Sequence, residues 1–274
     1  MAKKNNQVSR PGSALGEYIG KKLEEVINEY ITKFLDNYPC HFIKETGYNP
    51  NTNKTSKKLL LYDEYGTAYD IDGIITNESM QPLILLESKY IRYKKHNRDK
   101  GSWICNTSAA LRMRYKSIRG TIAILAGSWS KTSLAMIESA DIAVFLISFD
   151  TIVDILKKYG VDFVWGEKDF TTPVAAWYNY EKLTDKQKVN IAKKMADLIK
   201  DKLLDFLREK LDDTKPREIR KLSVEVLSSW GETSRESFDK KEDAIKYLES
   251  LDLDTVFDSK TFYSIFDQVD YDDE

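Results

Sequence analysis

Apolar residues recur along this chain with two different periods, and the switches between them mark its elements. From residue 13 to 36, Leu15, Ile19, Leu23, Val26, Ile27, Tyr30, Ile31 and Phe34 fall at helical spacing, and Ser13 is placed to cap the helix after Pro11-Gly12. Residues 48 to 58 are rich in Asn, Thr and Lys and read as a loop. Strands follow at 59–63, 68–76 and 83–91, the last two joined by the turn Asn77–Pro82. A helix over 106–118, a strand Thr121–Ala126, a helix over 131–139, a strand Ile142–Ile147 and a helix over 150–159, stopped by Gly160, complete an alternating series. Near-continuous apolar strands between helices predict a buried, partly parallel sheet, hence an α/β fold.

After residue 160 the pattern changes. Val161–Trp165 reads as a last strand. Thr184 and Gln187 form a capping box for a long helix to about Leu211, with Val189, Ala192, Met195, Ile199, Leu203, Phe206 and Leu207 on its apolar face. A hairpin (Lys221–Leu227 with Thr233–Phe238) and a short helix over 241–250 come next. The tail from Asp252 holds eight acids and one Lys among Phe257, Phe262, Tyr263, Phe266 and Tyr271, aromatics that argue for partial packing on the body. The expected organisation is a flexible N-terminus (1–12), a core (13–180) and a small helical and β appendage with an acidic tail (181–274).

The length of 274 residues suits one large domain, or one with an appendage. A net charge of −2 gives no global attraction to a polyanion, so local charge decides. Cys40 and Cys105 are too few and too far apart for a disulfide framework or zinc knuckle, and read as free thiols in a reducing compartment. With His41 and His96 the only histidines, a His-metal nuclease or a Ser-His-Asp hydrolase is poorly supported. There is no phosphate-binding glycine motif. The basic, polar start has no apolar stretch behind it, and no segment approaches membrane-spanning length, so the expectation is a soluble cytoplasmic protein.

The candidate chemistry lies on two neighbouring strands, Tyr69-Asp70-Ile71-Asp72-Gly73-Ile74-Ile75 and Leu83-Ile84-Leu85-Leu86-Glu87-Ser88-Lys89. Side chains alternate along a strand, so Glu87 and Lys89 share one face while Leu86, Ser88 and Tyr90 take the other. Charge at the end of a buried apolar strand is costly unless it is paired or binds a metal. Two carboxylates on adjacent strands make a hard oxygen site for Mg²⁺, and a nearby ammonium suits developing negative charge. The simpler alternative is a hairpin with surface charges.

The arrangement resembles the PD-(D/E)xK nuclease superfamily, and most of all a type II restriction endonuclease. Asp72 matches the first acid, Glu87 the second and Lys89 the lysine. Tyr69, Asp70 and Ile71 stand before Asp72, so the family's leading Pro is absent. The resemblance implies a mixed central sheet flanked by helices, Mg²⁺ (with Mn²⁺ able to substitute) held by Asp72, Glu87 and the Ser88 carbonyl, hydrolysis of double-stranded DNA, and a homodimer whose symmetry mirrors a palindromic site. Asp70 rivals Asp72 for the first position. Gly20-Lys21-Lys22-Leu23-Glu24 is similar to a run on the first helix of such enzymes, which makes Glu24 a further catalytic candidate, with Glu17 as rival. Two alternatives remain: a repair nuclease or junction resolvase, and an inactive DNA-binding module on the same fold.

Ten Lys and Arg fall between Ser88 and Gly120, opposed only by Asp99. Of these, Lys94, Lys95, Arg98, Arg112, Arg114, Lys116 and Arg119 are the candidate DNA contacts, with 94–100 as a mobile loop; phosphate neutralisation accounts for much of protein–DNA affinity. The other reading is a solvated helix face. Trp103, Tyr115 and Trp129 are either base-stacking rings or core aromatics.

Overall fold

Two long apolar runs, Pro82–Ile91 and Gly120–Gly127, lie side by side as parallel strands at the centre of the molecule. The computed structural model describes residues 10–44, 47–49, 54–56, 59–166, 168–258 and 264. In chain order these form α1 (Pro11–Leu35), β1 (Cys40–Ile43), β2 (Gly47–Asn49), β3 (Lys54–Ser56), β4 (Leu59–Tyr62), β5 (Ala68–Ile71), β6 (Gly73–Asn77), β7 (Pro82–Ile91), α2 (Asn97–Arg114), β8 (Gly120–Gly127), α3 (Lys131–Ser139), β9 (Ile142–Ser148), α4 (Phe149–Lys157), α5 (Thr172–Glu181) and α6 (Asp185–Leu211). Then come β10 (Leu222–Leu227), β11 (Thr233–Phe238), α7 (Lys241–Glu249) and α8 (Leu253–Val256).

The central sheet is mixed and five-stranded, in the order β1-β6-β7-β8-β9. β1, β6 and β7 pair antiparallel; β7, β8 and β9 pair parallel. The fold is therefore α/β, with helices on both faces. On one face Ile84, Leu86, Ile122, Ile124 and Phe145 join a layer formed by α1, α4, α5 and α6. On the other, Ala123, Leu125 and Ile142 pack with Ile104 of α2 and Ile137 of α3. The β4–β5 hairpin adds a smaller cluster in which Leu59, Tyr69 and Ile71 meet Ile74, Leu85 and Leu111. Each fully buried Ile or Leu contributes roughly 1.5–3 kcal/mol of burial.

Several expectations need correction. α1 starts at Pro11, which suits the first helical turn, and Arg10 holds the cap position without a side-chain bond, so Ser13 lies inside the helix. The expected flexible 1–12 segment is thus cut short at its end; residues 1–9 lie outside the described residues. The supposed loop 48–58 contains the hairpin β2–β3. The strand expected over 68–76 is two strands, broken by a bend at Asp72: β5 pairs with β4, and β6 joins the central sheet. Gly73 permits this corner, because a Cβ there would sit 2.8 Å from the Phe42 ring.

The 94–100 stretch is not a loop. Lys94–His96 is a 3-10 turn leading into α2, which starts nine residues before the expected helix. Asn97 anchors that start, its buried amide donating to Ser128 O at 2.9 Å and accepting from Ser130 N at 2.8 Å. Val161–Trp165 forms no strand; Val161 and Phe163 are buried in the α1-side layer instead. β1 and α5 were not anticipated. The capping box of α6 forms, with Gln187 N bonding Thr184 Oγ1 at 3.3 Å and Thr184 N bonding Gln187 Oε1 at 2.9 Å.

The chain divides into a unit ending at Leu211 and a second starting at Asp212. The division falls later than expected because α6 belongs to the first unit: Met195, Ile199, Leu203 and Leu207 lie in its main core, and Tyr30 of α1 donates to Asp197 of α6 at 2.7 Å. In the second unit β10 and β11 form an antiparallel hairpin, and Phe238 packs on Tyr247 of α7 with ring centroids 5.3 Å apart. The aromatic tail beyond Asp258 lies, except for Ser264, outside the described residues.

Candidate functional site

β7 is apolar from Leu83 to Leu86 because both its faces are covered, and its polar residues run from Glu87 to Lys89 before the strand is buried again at Ile91. Glu87 is the first of them, with its side chain only 2 % exposed. Asp72 occupies the bend between β5 and β6, opposite this point, and replaces a missing ladder contact: its Oδ2 accepts from the Ser88 backbone N–H at 2.7 Å. Lys89, on the same face as Glu87, donates to Asp72 Oδ2 at 2.5 Å and to Glu87 Oε2 at 2.6 Å. One ammonium therefore bridges two carboxylates from two strands. Glu87 Oε1 is buried with no hydrogen-bond partner.

The electrostatics follow from this packing. Burial pushes the Glu87 carboxyl up to about 7; Asp72 reinforces the shift and Lys89 opposes it. For Lys89, burial acts to lower its value, but Glu87 and Asp72 together outweigh it and hold the ammonium above the ordinary lysine range. Glu24 of α1 is raised by burial and then by the charge of Asp72, against the opposing effects of Asn28, Lys44 and Lys89. α1 thus brings a third carboxyl into electrostatic range of the cluster. Perturbed groups of this kind, gathered in a cleft, mark a candidate functional site.

The cleft is about 870 Å³. Glu24, Ser88 and Lys89 line it together with the first half of α1, Arg92, Trp165 and Phe170. Lys89 and Asp72 are 20 % and 31 % exposed, so the cluster is open on one side while Glu87 is sealed. Among the described residues no three or more His, Cys, Asp and Glu side chains come together as a metal cage. Two carboxylates with an orphaned oxygen, open to water on one side, instead suit a hard cation that takes one or two carboxylates and completes its shell with water and substrate oxygens.

The other candidates are placed unevenly. Asp70 sits on β5 opposite Leu60 of β4, away from the strand that joins Glu87. Glu17 lines the cleft and is exposed. Of the basic residues, Lys94, Arg98 and Lys116 are exposed, and the Lys95 side chain lies outside the described residues. Three arginines are engaged within the fold. Arg112 bonds Asp141 Oδ2 at 3.1 Å, Arg114 bonds Asp63 O at 2.6 Å, and Arg119 bonds Lys210 O at 3.0 Å. Trp129 is buried in the α2–α3 cluster, Tyr115 packs against the β4–β5 cluster, and Trp103 lies beside Tyr69. Missed from the sequence were Arg10, Trp165 and Phe170, which reach the cleft from segments far apart in the chain and carry no shared spacing.

No family model, curated protein or solved structure matches the chain.

Proposed function

We propose that the protein is a Mg²⁺-dependent DNA endonuclease of the PD-(D/E)xK kind, acting as a site-specific type II restriction enzyme. The observation that carries this reading is Glu87: a carboxylate sealed within a core strand, one oxygen orphaned, tied to a second carboxylate through Lys89, which itself lines a cleft. A purely structural ion pair gains little from burying an acid this way, since apolar residues of similar volume serve stability as well or better.

Asp72 and Glu87 would hold the cation, with the Ser88 carbonyl beside them and Glu24 at the margin. When bound, Mg²⁺ supplies Lewis acidity at the phosphate and makes a water more acidic. Lys89, released from its bridge, places its ammonium where charge grows on the phosphoryl oxygens and orients the attacking water. Glu24, with a raised value, is suited to take up the proton that the water gives up. Exposed Lys94, Arg98 and Lys116 are the residues best free to meet DNA phosphates. A homodimer would present two such sites to a palindrome.

The test is plasmid DNA of mixed sequence incubated with Mg²⁺. Discrete fragments are expected from the wild type, and Asp72→Ala should lower the rate by a factor of 10² or more, on the order of a lost electrostatic contact in a transition state. Undiminished cutting by the variant removes the assignment. Cleavage confined to branched or flapped DNA would favour a repair nuclease or resolvase.

A further inference from the structure

Of the Asp72–Glu87–Lys89 cluster, Lys89 lines the cleft, and what lines it elsewhere is chemically different. Phe170 stands there 79 % exposed. It is not on a loose loop. The neighbouring Asp169 carboxylate accepts from the backbone N–H of Thr171 at 2.9 Å and of Thr172 at 3.0 Å, and from both threonine hydroxyls, which fixes the approach to α5. Those bonds stabilise the ionised Asp169 carboxyl and hold it down at about 2. Trp165 is fixed as well: the Arg92 guanidinium lies 3.5 Å from its ring centroid and donates to Phe163 O at 3.1 Å. Phe170 is thus an exposed ring beside the cleft, while Trp165 is half-buried, packed between the main core and Arg92.

The remaining walls suit an anion. Arg10, Lys21 and Lys100 line the cleft from the exposed side, joined by Lys89 and Arg92 and opposed by Glu17, Glu24 and Asp169. α1 crosses with glycine at positions 16 and 20, and a Cβ at Gly16 would lie 2.8 Å from the Tyr90 ring, so Tyr90 packs directly on the α1 backbone there. Aromatic rings beside a cationic rim are the parts that hold single-stranded nucleic acid, where bases stack on rings and phosphates meet cations. Clefts of this size enclose a ligand of one or two nucleotides, not a duplex.

We propose that the cleft receives an unpaired nucleotide of the substrate strand, its base on Phe170 and Trp165 and its phosphate toward Arg10, Lys21 and Lys100. This deepens the nuclease reading and rests on it for the placing of the scissile phosphate. It makes displacement of one nucleotide from the paired site part of what the enzyme does to its duplex, and a preformed bubble removes the unpairing cost.

Two labelled DNA duplexes test this, one fully paired and one carrying a short unpaired bubble, titrated in EDTA so that nothing is cut. The bubble should bind about 10-fold tighter, in line with one stacked base. Phe170→Ala should remove most of that advantage while leaving the paired duplex unchanged, and Phe170→Trp should keep it. The exposed ring makes folding of these variants straightforward to verify by thermal melting. Equal binding of the two duplexes, or a bubble preference untouched by Phe170→Ala, overturns the proposal. Cutting with Mg²⁺ on the same duplexes separates the two readings. Cleavage without bubble preference sinks the unpaired-nucleotide site and leaves the nuclease. Bubble preference without cleavage of either duplex or of mixed-sequence plasmid DNA leaves the site and removes the nuclease.

Discussion

Glu87 carries the opposing forces of the whole site on one side chain. Its carboxyl is raised to about 7 from an ordinary value of 4.5, first by burial. Between those two values the folded protein binds more protons than the unfolded chain, so this group's contribution is fully present below about pH 4.5 and is lost as pH rises through 7. In EDTA, urea unfolding of the wild type should therefore show a decline in stability between pH 5 and pH 8. Glu87→Gln should lack this group's share of it, a difference on the order of 3 kcal/mol. Parallel pH profiles for the two proteins would show that ionisation at 87 is not disfavoured by the fold. The meeting of Asp72, Glu87 and Lys89 was legible in the sequence, because strand alternation and a short turn leave few other places for those side chains. The engagement of Arg112, Arg114 and Arg119 was not: their partners lie 29, 51 and 91 positions away.

At the scale of elements, the site depends on where β7 ends, and the β7–β8 junction fixes that. Gly127 closes β8 at φ +100°, and a Cβ there would lie 1.9 Å from Ile91 O, the last carbonyl of β7, which accepts from Ser128 N at 2.7 Å. Gly127→Ala combines left-handed strain with a backbone clash, and should destabilise the protein by at least about 2 kcal/mol in chemical unfolding; an unchanged midpoint would mean that the strands part freely here. The strands β7, β8 and β9 and the helix α3 were readable, since apolar runs bounded by turn residues have few other uses. Harder to see were elements whose burial is supplied by neighbours. α2 begins in a polar stretch with no apolar period, held by the Asn97 amide and by Gly101, where a Cβ would meet Met136 at 2.6 Å. β1 is short and only half-buried. Val161–Trp165 has the composition of a strand, but the chain turns at Gly160 with φ +74° and its apolar residues go to the helical layer.

For the molecule as a whole, the distribution of burial matches the division of the chain. The first unit holds three apolar clusters, while in the second, among the described residues, Ala244 is the one buried hydrophobic side chain. Among the described residues no helix is long and apolar enough to cross a membrane. The α/β class was legible from the alternation of strand-like and helix-like segments. The boundary at Leu211 was not, because an amphipathic helix looks the same in sequence whether its apolar stripe faces the core or an appendage.

The bridge made by Lys89 has a last consequence. A folded domain organised around a divalent ion unravels when a chelator strips it. Here the lysine already bonds both acids and offsets one of their two charges, as a tethered placeholder built into the polypeptide. EDTA should therefore silence catalysis yet leave the melting temperature of the apoprotein within about 2 °C of its starting value, a shift worth less than about 1 kcal/mol. A collapse of the melt on chelation would mean that the amine alone is no sufficient counter-ion. With the melt unmoved, the nuclease reading makes the protein inert but intact whenever free magnesium runs low, ready to act on its return without refolding.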